Sequence, residues 1–189
     1  MDAIGGILGA FGLSASAGLN AYIPLLVVSL LAKFTDLIHL AKPWDALTSW
    51  WTIGVLIVLC LVEVFADKIP VVDHANDLIQ TFIRPTAGAI VFAANANSAA
   101  EVSPILGLIA GLLVAGTVHT VKSAAVRPLI SASSASTADP LASFLEDVVA
   151  ALGSVLSVVL PILMAGFFFF VVLWGVWVFR GRKGEKNPA

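Results

Sequence analysis

Two acidic residues, Glu63 and Asp67, lie four positions apart within the apolar stretch 50–69. That spacing places both carboxylates on one face of a helix. A charge inside such a segment costs on the order of a few kcal/mol in hydrocarbon unless it is paired, neutralised or hydrated. The two carboxylates therefore indicate a proton or cation site, although a structural pair that shares a proton would also explain them.

Further ionisable groups follow near the end of a later apolar stretch, where His119, Lys122 and Arg127 fall along one helical stripe. If the short segment between the two stretches crosses a membrane once, both polar ends lie at the same membrane face. Glu63 and Asp67 would then meet Lys122, Arg127 or His119. Because histidine titrates near neutral pH, this set predicts a proton or cation relay.

An Arg followed by a Pro occurs twice, at Arg84-Pro85 and at Arg127-Pro128. Proline fits the first turn of a helix, and a helix N-terminus beside an Arg attracts anions. Arg84 and Arg127 are therefore candidates for binding a lipid phosphate or another anion. The alternative is that both open a helix at the membrane surface and extend their charge into the headgroups.

Other charged residues surround these candidates along the chain and are interpreted as supporting charges: Lys68, Asp73, Asp77, Glu146 and Asp147. Residues 73–83 predict a short amphipathic helix with Asp73 as its N-cap. Lys68 and Asp77 fit ion pairs that hold this helix at the membrane surface.

The first apolar stretch, residues 3–33, carries a run of small and polar residues that form one helical stripe: Gly5, Gly9, Gly12, Ser16 and Asn20. One interpretation is close packing against other helices, with Asn20 bonding between them. The other is a helix broken near Pro24, which frees backbone groups for a solute or ion. In the second case Ser16 and Asn20 are candidate ligands. A second stripe, Gly107, Gly111 and Ala115, has no polar member and predicts packing alone.

The composition is that of a membrane protein, with 59% apolar residues, 12% charged residues and a mean hydropathy of +1.01. The start, "MDAIGG", carries an acid where a signal peptide has Lys or Arg, so we expect it to begin a retained helix. The single Cys60 excludes an intrachain disulfide and a cysteine-based metal cluster. No phosphate-binding or dinucleotide motif is present, and the net charge of −2 gives no nucleic-acid signal.

The apolar stretches predict an all-α, polytopic membrane bundle of about five segments, within a range of roughly four to six. These segments are 3–33, 50–69, 84–98, 102–122 and 146–179. The first and last are long enough to be broken or kinked, and the short third either crosses or turns back as a re-entrant hairpin. We expect residues 1–180 to form one transmembrane domain. A basic tail, residues 181–189, then lies in the cytoplasm by the positive-inside rule.

Four blocks of the sequence resemble an uncharacterised family of bacterial membrane proteins that is catalogued as a domain of unknown function: "GLSASAGLNAYIPLL" (12–26), "VEVFADKIPVVDHANDLIQTFIRPTAG" (62–88), "HTVKSAAVRP" (119–128) and "LED" (145–147). The resemblance covers nearly the whole chain. It departs from the family pattern at Asn76, where a Trp is common, and at Gln80, where a His is common. It implies an integral protein of the inner (plasma) membrane and carries over no activity.

These residues lead to the hypothesis of a small transporter or permease that moves an ion or a small polar solute across the lipid bilayer. Proton or cation coupling would use the carboxylate and His cluster. We expect a homodimer or small homo-oligomer, because one such chain is small for an alternating-access machine. The alternatives are a passive channel, a protein that handles lipid phosphates, and a structural or assembly factor. No enzymatic activity, cofactor or nucleic-acid partner is predicted, and the metal requirement is left open.

Overall fold

A computed structural model describes residues 3–66, 70–126 and 139–163 and, singly, residues 166, 169, 170 and 173. The regular secondary structure in these ranges is helical, without a strand. The α-helices are α1 (Ala3–Ala17), α2 (Tyr22–Phe34), α3 (Trp50–Ala66), α4 (Pro70–Ala100), α5 (Pro104–Val121) and α6 (Asp139–Val159). A 3-10 helix, Trp44–Thr48, precedes α3, and a π-helical turn, Lys122–Val126, follows α5. The all-α prediction is confirmed for the described residues.

The first apolar stretch is broken into two helices. Residues 18–21 leave the helix between the end of α1 and the start of α2, and we call these four residues the break. Gly18 and Asn20 both disfavour a helix interior. Pro24 lies in the first turn of α2, where its missing N–H removes no helical bond. A Cβ on Gly18 would lie 2.6 Å from the carbonyl oxygen of Ala115, so glycine also lets the break approach α5.

The small residues of α1 also serve packing, so the stripe combines close helix contacts with a broken helix. Binding of a solute or ion at the break stays a prediction. Gly6 lies against Ala99 near the end of α4, whereas Ser14 donates a hydrogen bond of 2.8 Å to the carbonyl oxygen of Gly111 in α5. A Cβ on Gly9 would lie 2.8 Å from the carbonyl oxygen of Ser157 in α6. Helices come this close in apolar bundles when small residues line their interface.

The region predicted as two elements, 73–83 and 84–98, is one continuous helix, α4. It begins at Pro70, so Asp73 is not an N-cap, and it runs through Pro85 to Ala100 without turning back. The prediction that Pro85 opens a helix is wrong. Proline inside a helix removes one backbone bond and is costly, but tertiary packing on both sides of Pro85 holds α4 together, because Arg84 and Gly88 are both buried against neighbouring helices.

The later helices agree with the sequence more closely. α5 corresponds to the predicted segment 102–122, and its small stripe packs on α4, where Gly111 contacts Gly88. The last helix, α6, begins at Asp139, seven positions before the predicted start at 146, and ends before Pro161. The first two turns of α6 carry Asp139, Ser143 and Glu146 among apolar residues. Apolar content therefore places the start of this helix too late.

Large apolar side chains point outward on several helices, while the interior combines small and polar residues with a core cluster that includes Leu13, Val28 and Val91. Trp51 is 88% exposed, and α5 and α6 expose most of their large apolar side chains. The stretches Pro104–Ala124 and Leu141–Val159 are long and apolar enough to cross a membrane, and Ala3–Ala17, Tyr22–Phe34 and Trp50–Ala66 are shorter apolar helices. The five-segment topology stays a prediction.

Candidate functional site

Polar side chains from the four α-helices α3 to α6, and from the π-helical turn after α5, converge on the break between α1 and α2, which itself contributes Asn20. We call this set the polar layer: Asn20, Glu63, Gln80, Thr81, Arg84, His119, Lys122, Glu146 and Asp147. All but Thr81 and Glu146 are at least nine-tenths buried. Buried charges are stable only when they are paired and hydrogen-bonded, so the contacts within the layer decide what it can do.

Glu63 and Arg84 form a fully buried ion pair at the centre of the polar layer. Nε and Nη2 of Arg84 each donate to Oε1 of Glu63 over 3.2 Å, and both side chains have no exposed surface. The backbone N–H of Ala21 also donates to this carboxylate, at 3.1 Å from Oε2. Glu63 therefore lies at the positive end of the α2 dipole, where a helix N-terminus stabilises an anion.

His119 connects this pair to α5, and its partners fix its tautomer. Nη1 of Arg84 lies 3.3 Å from Nδ1 of His119, and Nε2 lies 3.2 Å from the hydroxyl of Thr81. A guanidinium donates hydrogen bonds and accepts none, so Nδ1 must be the acceptor. The proton then sits on Nε2 and is donated to Thr81, and the imidazole in this arrangement is neutral.

Asn20 holds the break in place from both sides. Its side-chain oxygen accepts from the backbone N–H groups of Tyr22 and Ile23 at 3.1 and 3.0 Å, which caps the N-terminus of α2. Its amide nitrogen donates to Oδ1 of Asp147 in α6 over 3.0 Å. One residue therefore ties the broken helix to α6, in agreement with the predicted interhelical role of Asn20.

Lys122 occupies the other side of the break. Its ammonium donates to the carbonyl oxygen of Leu19 over 3.2 Å and lies 2.7 Å from Oε2 of Glu146. Leu19 follows the C-terminus of α1, whose carbonyls attract positive charge. The two helix ends at the break thus face opposite charges, a carboxylate at α2 and an ammonium at α1.

The structure rearranges the partners predicted from sequence. Glu63 pairs with Arg84 rather than with Lys122, and Arg84 is enclosed instead of lying at the start of a helix at the membrane surface. Ser16, a predicted ligand, donates within α1 to the carbonyl oxygen of Gly12. The other predicted partners, Asp67, Lys68 and Arg127, lie outside the described residues. So do the side chains of Asp73 and Asp77, although their backbone belongs to α4.

Thr81 and Gln80 were missed as members of the site. Both could have been found from spacing, because residues three and four positions before Arg84 share its helix face. Gln80 is 2% exposed, and its Oε1 accepts no hydrogen bond. A buried acceptor without a partner costs about 1–3 kcal/mol.

Replacing Gln80 with Met, which has a similar shape and no such acceptor, should therefore raise the free energy of unfolding by about 1 kcal/mol. Unfolding curves of the purified protein in detergent measure this change. The matched control is Asn95→Leu in the same helix, because Asn95 is equally buried but donates over 2.7 Å to the carbonyl oxygen of Gly6. That control should lose stability, and a loss in both variants would contradict the role given to Gln80.

The polar layer has the chemistry for proton and cation exchange. It holds two carboxylate–cation pairs and a neutral imidazole in contact with one of the cations. A proton arriving at Nδ1 of His119 would replace the acceptor facing Arg84 with a donor, because both nitrogens of a charged imidazole carry protons. Protonation of His119 is therefore incompatible with its present contact to Arg84.

Comparison with known proteins gives one match. A family model described as a domain of unknown function (DUF4126) matches residues 7–181, a range that contains the whole polar layer. No curated protein and no solved structure is similar to the chain.

Proposed function

The chain belongs to the DUF4126 family, a domain of unknown function, and because membership assigns no activity we propose one from the polar layer itself. We propose that the protein is a small membrane transporter that moves an ion or a small polar solute and couples this movement to protons or cations. The observation that carries the proposal is the set of buried, paired charges at a break between two helices.

A membrane location is supported by the distribution of apolar side chains. A soluble helical bundle rarely buries charged residues and covers much of its surface with polar ones. This chain buries charged and small polar residues beside its aliphatic core, and it exposes many Leu, Ile, Val, Phe and Trp side chains. Lipid tails do not penalise such an exterior. Helices in lipid associate through small residues and interhelical hydrogen bonds, both of which occur between α1, α4 and α5.

Transport is supported by the break between α1 and α2. Substrate and ion sites of secondary transporters form where a membrane helix is interrupted, since the half-helix ends and the unwound carbonyls present charge-binding groups at depth. Irregular backbone in hydrocarbon is tolerated only when it is buried in protein or lines a cavity. Here Glu63 and Lys122 satisfy the two ends of the break, an arrangement that the proposal interprets as a closed conformation.

His119 is the proposed proton acceptor. Proton uptake at Nδ1 forms an N–H bond, ends acceptance from Arg84 and places two cations against each other. Arg84 must then rely on Glu63 or move, which shifts the contacts between α3, α4 and α5. Protonation and conformation are thereby linked through one atom.

A structural or assembly role is the competing function, because the same contacts would also lock a bundle together. Lipid-phosphate binding has less support, since Arg84 is enclosed and already donates to Glu63. Homo-oligomerisation and a cytoplasmic C-terminal tail remain part of the proposal.

Thermal stability against ligands separates these functions. Wild-type protein in detergent would be unfolded in a panel of ions, organic cations, organic anions and lipid phosphates at about pH 5 and about pH 8, which bracket histidine titration. A ligand that binds the folded state raises the melting temperature by mass action. We expect at least one small polar solute to do so, with an amplitude that differs between the two pH values.

The decisive variant is His119→Asn, which keeps an acceptor near the position of Nδ1 and cannot titrate. It should retain the ligand effect and lose its pH dependence. The control is Glu101→Gln, whose exposed carboxylate lies about 25 Å from Arg84 along α4. That control should behave as wild type. If no solute in the panel raises the melting temperature, the structural or assembly role replaces transport as the proposed function.

A further inference from the structure

We propose that the break between α1 and α2 contains a subsite for a primary ammonium group, which Lys122 fills in this structure. The assignment names a ligand class, small primary amines and ammonium, for a site that is otherwise defined only by its charges. The step from subsite to transported substrate rests on the proposed transport function.

The geometry around Nζ of Lys122 is that of an ammonium site. A backbone carbonyl oxygen, from Leu19, accepts over 3.2 Å, and a carboxylate oxygen, from Glu146, lies at 2.7 Å. The first distance is that of a hydrogen bond, and the second is that of a close ion pair. An ammonium has three donors and no acceptor, so it suits a site that offers a carbonyl oxygen and a carboxylate oxygen. Lys122 is 3% exposed, which removes most competition from water.

The carbonyl of this subsite belongs to the break, and this distinguishes it from an ordinary ion pair. Leu19 lies two residues beyond the end of α1, where unwound carbonyls and the negative end of the helix dipole stabilise a cation. Lys122 reaches this position from another helix, 103 residues later in the chain. The ammonium of Lys122 is thus a covalently attached cation at the position where interrupted helices of transporters bind free cations.

Lys122 also lies where α5 changes from α-helical to π-helical geometry. Short π segments within helices occur frequently at functional sites. A change in this turn would move Lys122 while the α-helical part of α5, packed on α4, stays in place. An amine-bearing solute could then take the position that the lysine leaves.

The test uses the variant Lys122→Ala, which removes the ammonium together with the three carbons that carry it. The probe is n-propylammonium chloride, which matches the removed atoms, and the reference salt is tetramethylammonium chloride at the same concentration, which has no N–H donor. We expect the variant to unfold at a lower temperature than wild type. Propylammonium should raise its melting temperature by several degrees, with saturation, and tetramethylammonium should not.

The matched control is Lys33→Ala. Lys33 also donates to a backbone carbonyl, that of Thr48 at 2.8 Å, and its ammonium lies over the ring of Trp50. It lies, partly exposed, in the last turn of α2, at the opposite end of that helix from the break. This control should respond equally to both salts. If Lys122 only holds the helices together, Lys122→Ala should also respond equally to propylammonium and tetramethylammonium. Equal responses of that variant would overturn the proposal.

If the Lys122→Ala variant does not fold alone, it is produced and purified in each of the two salts. Recovery of folded protein in propylammonium but not in tetramethylammonium supports the subsite, and equal recovery in both salts counts against it. Uptake of radiolabelled propylammonium into liposomes, with protein-free liposomes as reference, separates subsite from function. Selective stabilisation of the Lys122 variant without uptake of any solute by wild type means that transport fails and the subsite stands. Uptake of propylammonium by wild type without selective stabilisation of the Lys122 variant means that transport stands and the subsite fails.

Discussion

Glu63→Gln is expected to lower the free energy of unfolding by about 3–5 kcal/mol, which is the usual cost of removing one partner from a buried ion pair. The substitution keeps the shape of the side chain but removes its charge. Arg84, which has no exposed surface, then loses the carboxylate that accepts from its Nε and Nη2. The N–H of Ala21, at the start of α2, also loses its anionic acceptor. Chemical or thermal unfolding in detergent measures the loss.

The double variant Glu63→Gln/Arg84→Gln gives the stricter test. The second substitution removes the buried guanidinium that has lost the Glu63 carboxylate, so the double variant should be more stable than Glu63→Gln alone, although two buried polar amides then replace the pair. The coupling energy follows from the cycle formed by the two single variants and the double variant. Additive losses would mean that the ion pair is not the contact on which stability depends. Glu101→Gln, at an exposed carboxylate, should change stability by less than about 0.5 kcal/mol.

Gly111→Ala should destabilise the protein by about 1–3 kcal/mol or more, because overpacking at a tight contact forces the backbones apart. A Cβ at Gly111 would collide with the carbonyl oxygen of Gly88 and lie 2.7 Å from the Cα of Ala89. Both of these atoms are backbone, so no rotamer change can relieve the contact. The α4–α5 interface also positions Arg84 and Thr81 against His119, and we therefore expect the polar layer to be disturbed as well.

Gly116→Ala in the same helix is the matched control for this contact. The nearest atoms to its Cβ would be those of the Pro85 ring, at 3.7 and 3.8 Å, an ordinary van der Waals distance. Alanine favours a helix over glycine by about 1 kcal/mol, so this variant should be neutral or slightly more stable. Equal melting temperatures for Gly111→Ala and Gly116→Ala would show that α4 and α5 can separate without cost.

The helices were predictable where local signals act alone. The apolar periodicity and the Trp pair at Trp50 located α3, and the small residues of 3–33 raised the break as one of two interpretations. The continuity of α4 was not predictable in this way, because Pro85 is a strong local stop signal and the contacts that override it come from distant helices. Arg84, for example, is anchored by a carboxylate in α3 and an imidazole in α5.

The members of the polar layer were easier to predict than their pairing. Glu63, His119, Lys122 and Asn20 follow from the rule that polar groups in apolar segments have partners. The partners themselves depend on the register between helices, which no short motif encodes. The sequence predicted Lys122, Arg127 or His119 as partners of Glu63 if the two helix ends share a face. In the structure Lys122 instead reaches across the break to Leu19 and Glu146.

The spacing of Glu63 and Arg84 bears on how the chain is made. Arg84 follows Glu63 by 21 residues, so the carboxylate leaves the ribosome first, while the guanidinium that pairs with it is still inside the exit tunnel. Under the proposed membrane location, α3 would then reach the bilayer before its guanidinium partner. A charge without its partner is costly in lipid, so we expect α3 and α4 to enter the bilayer together.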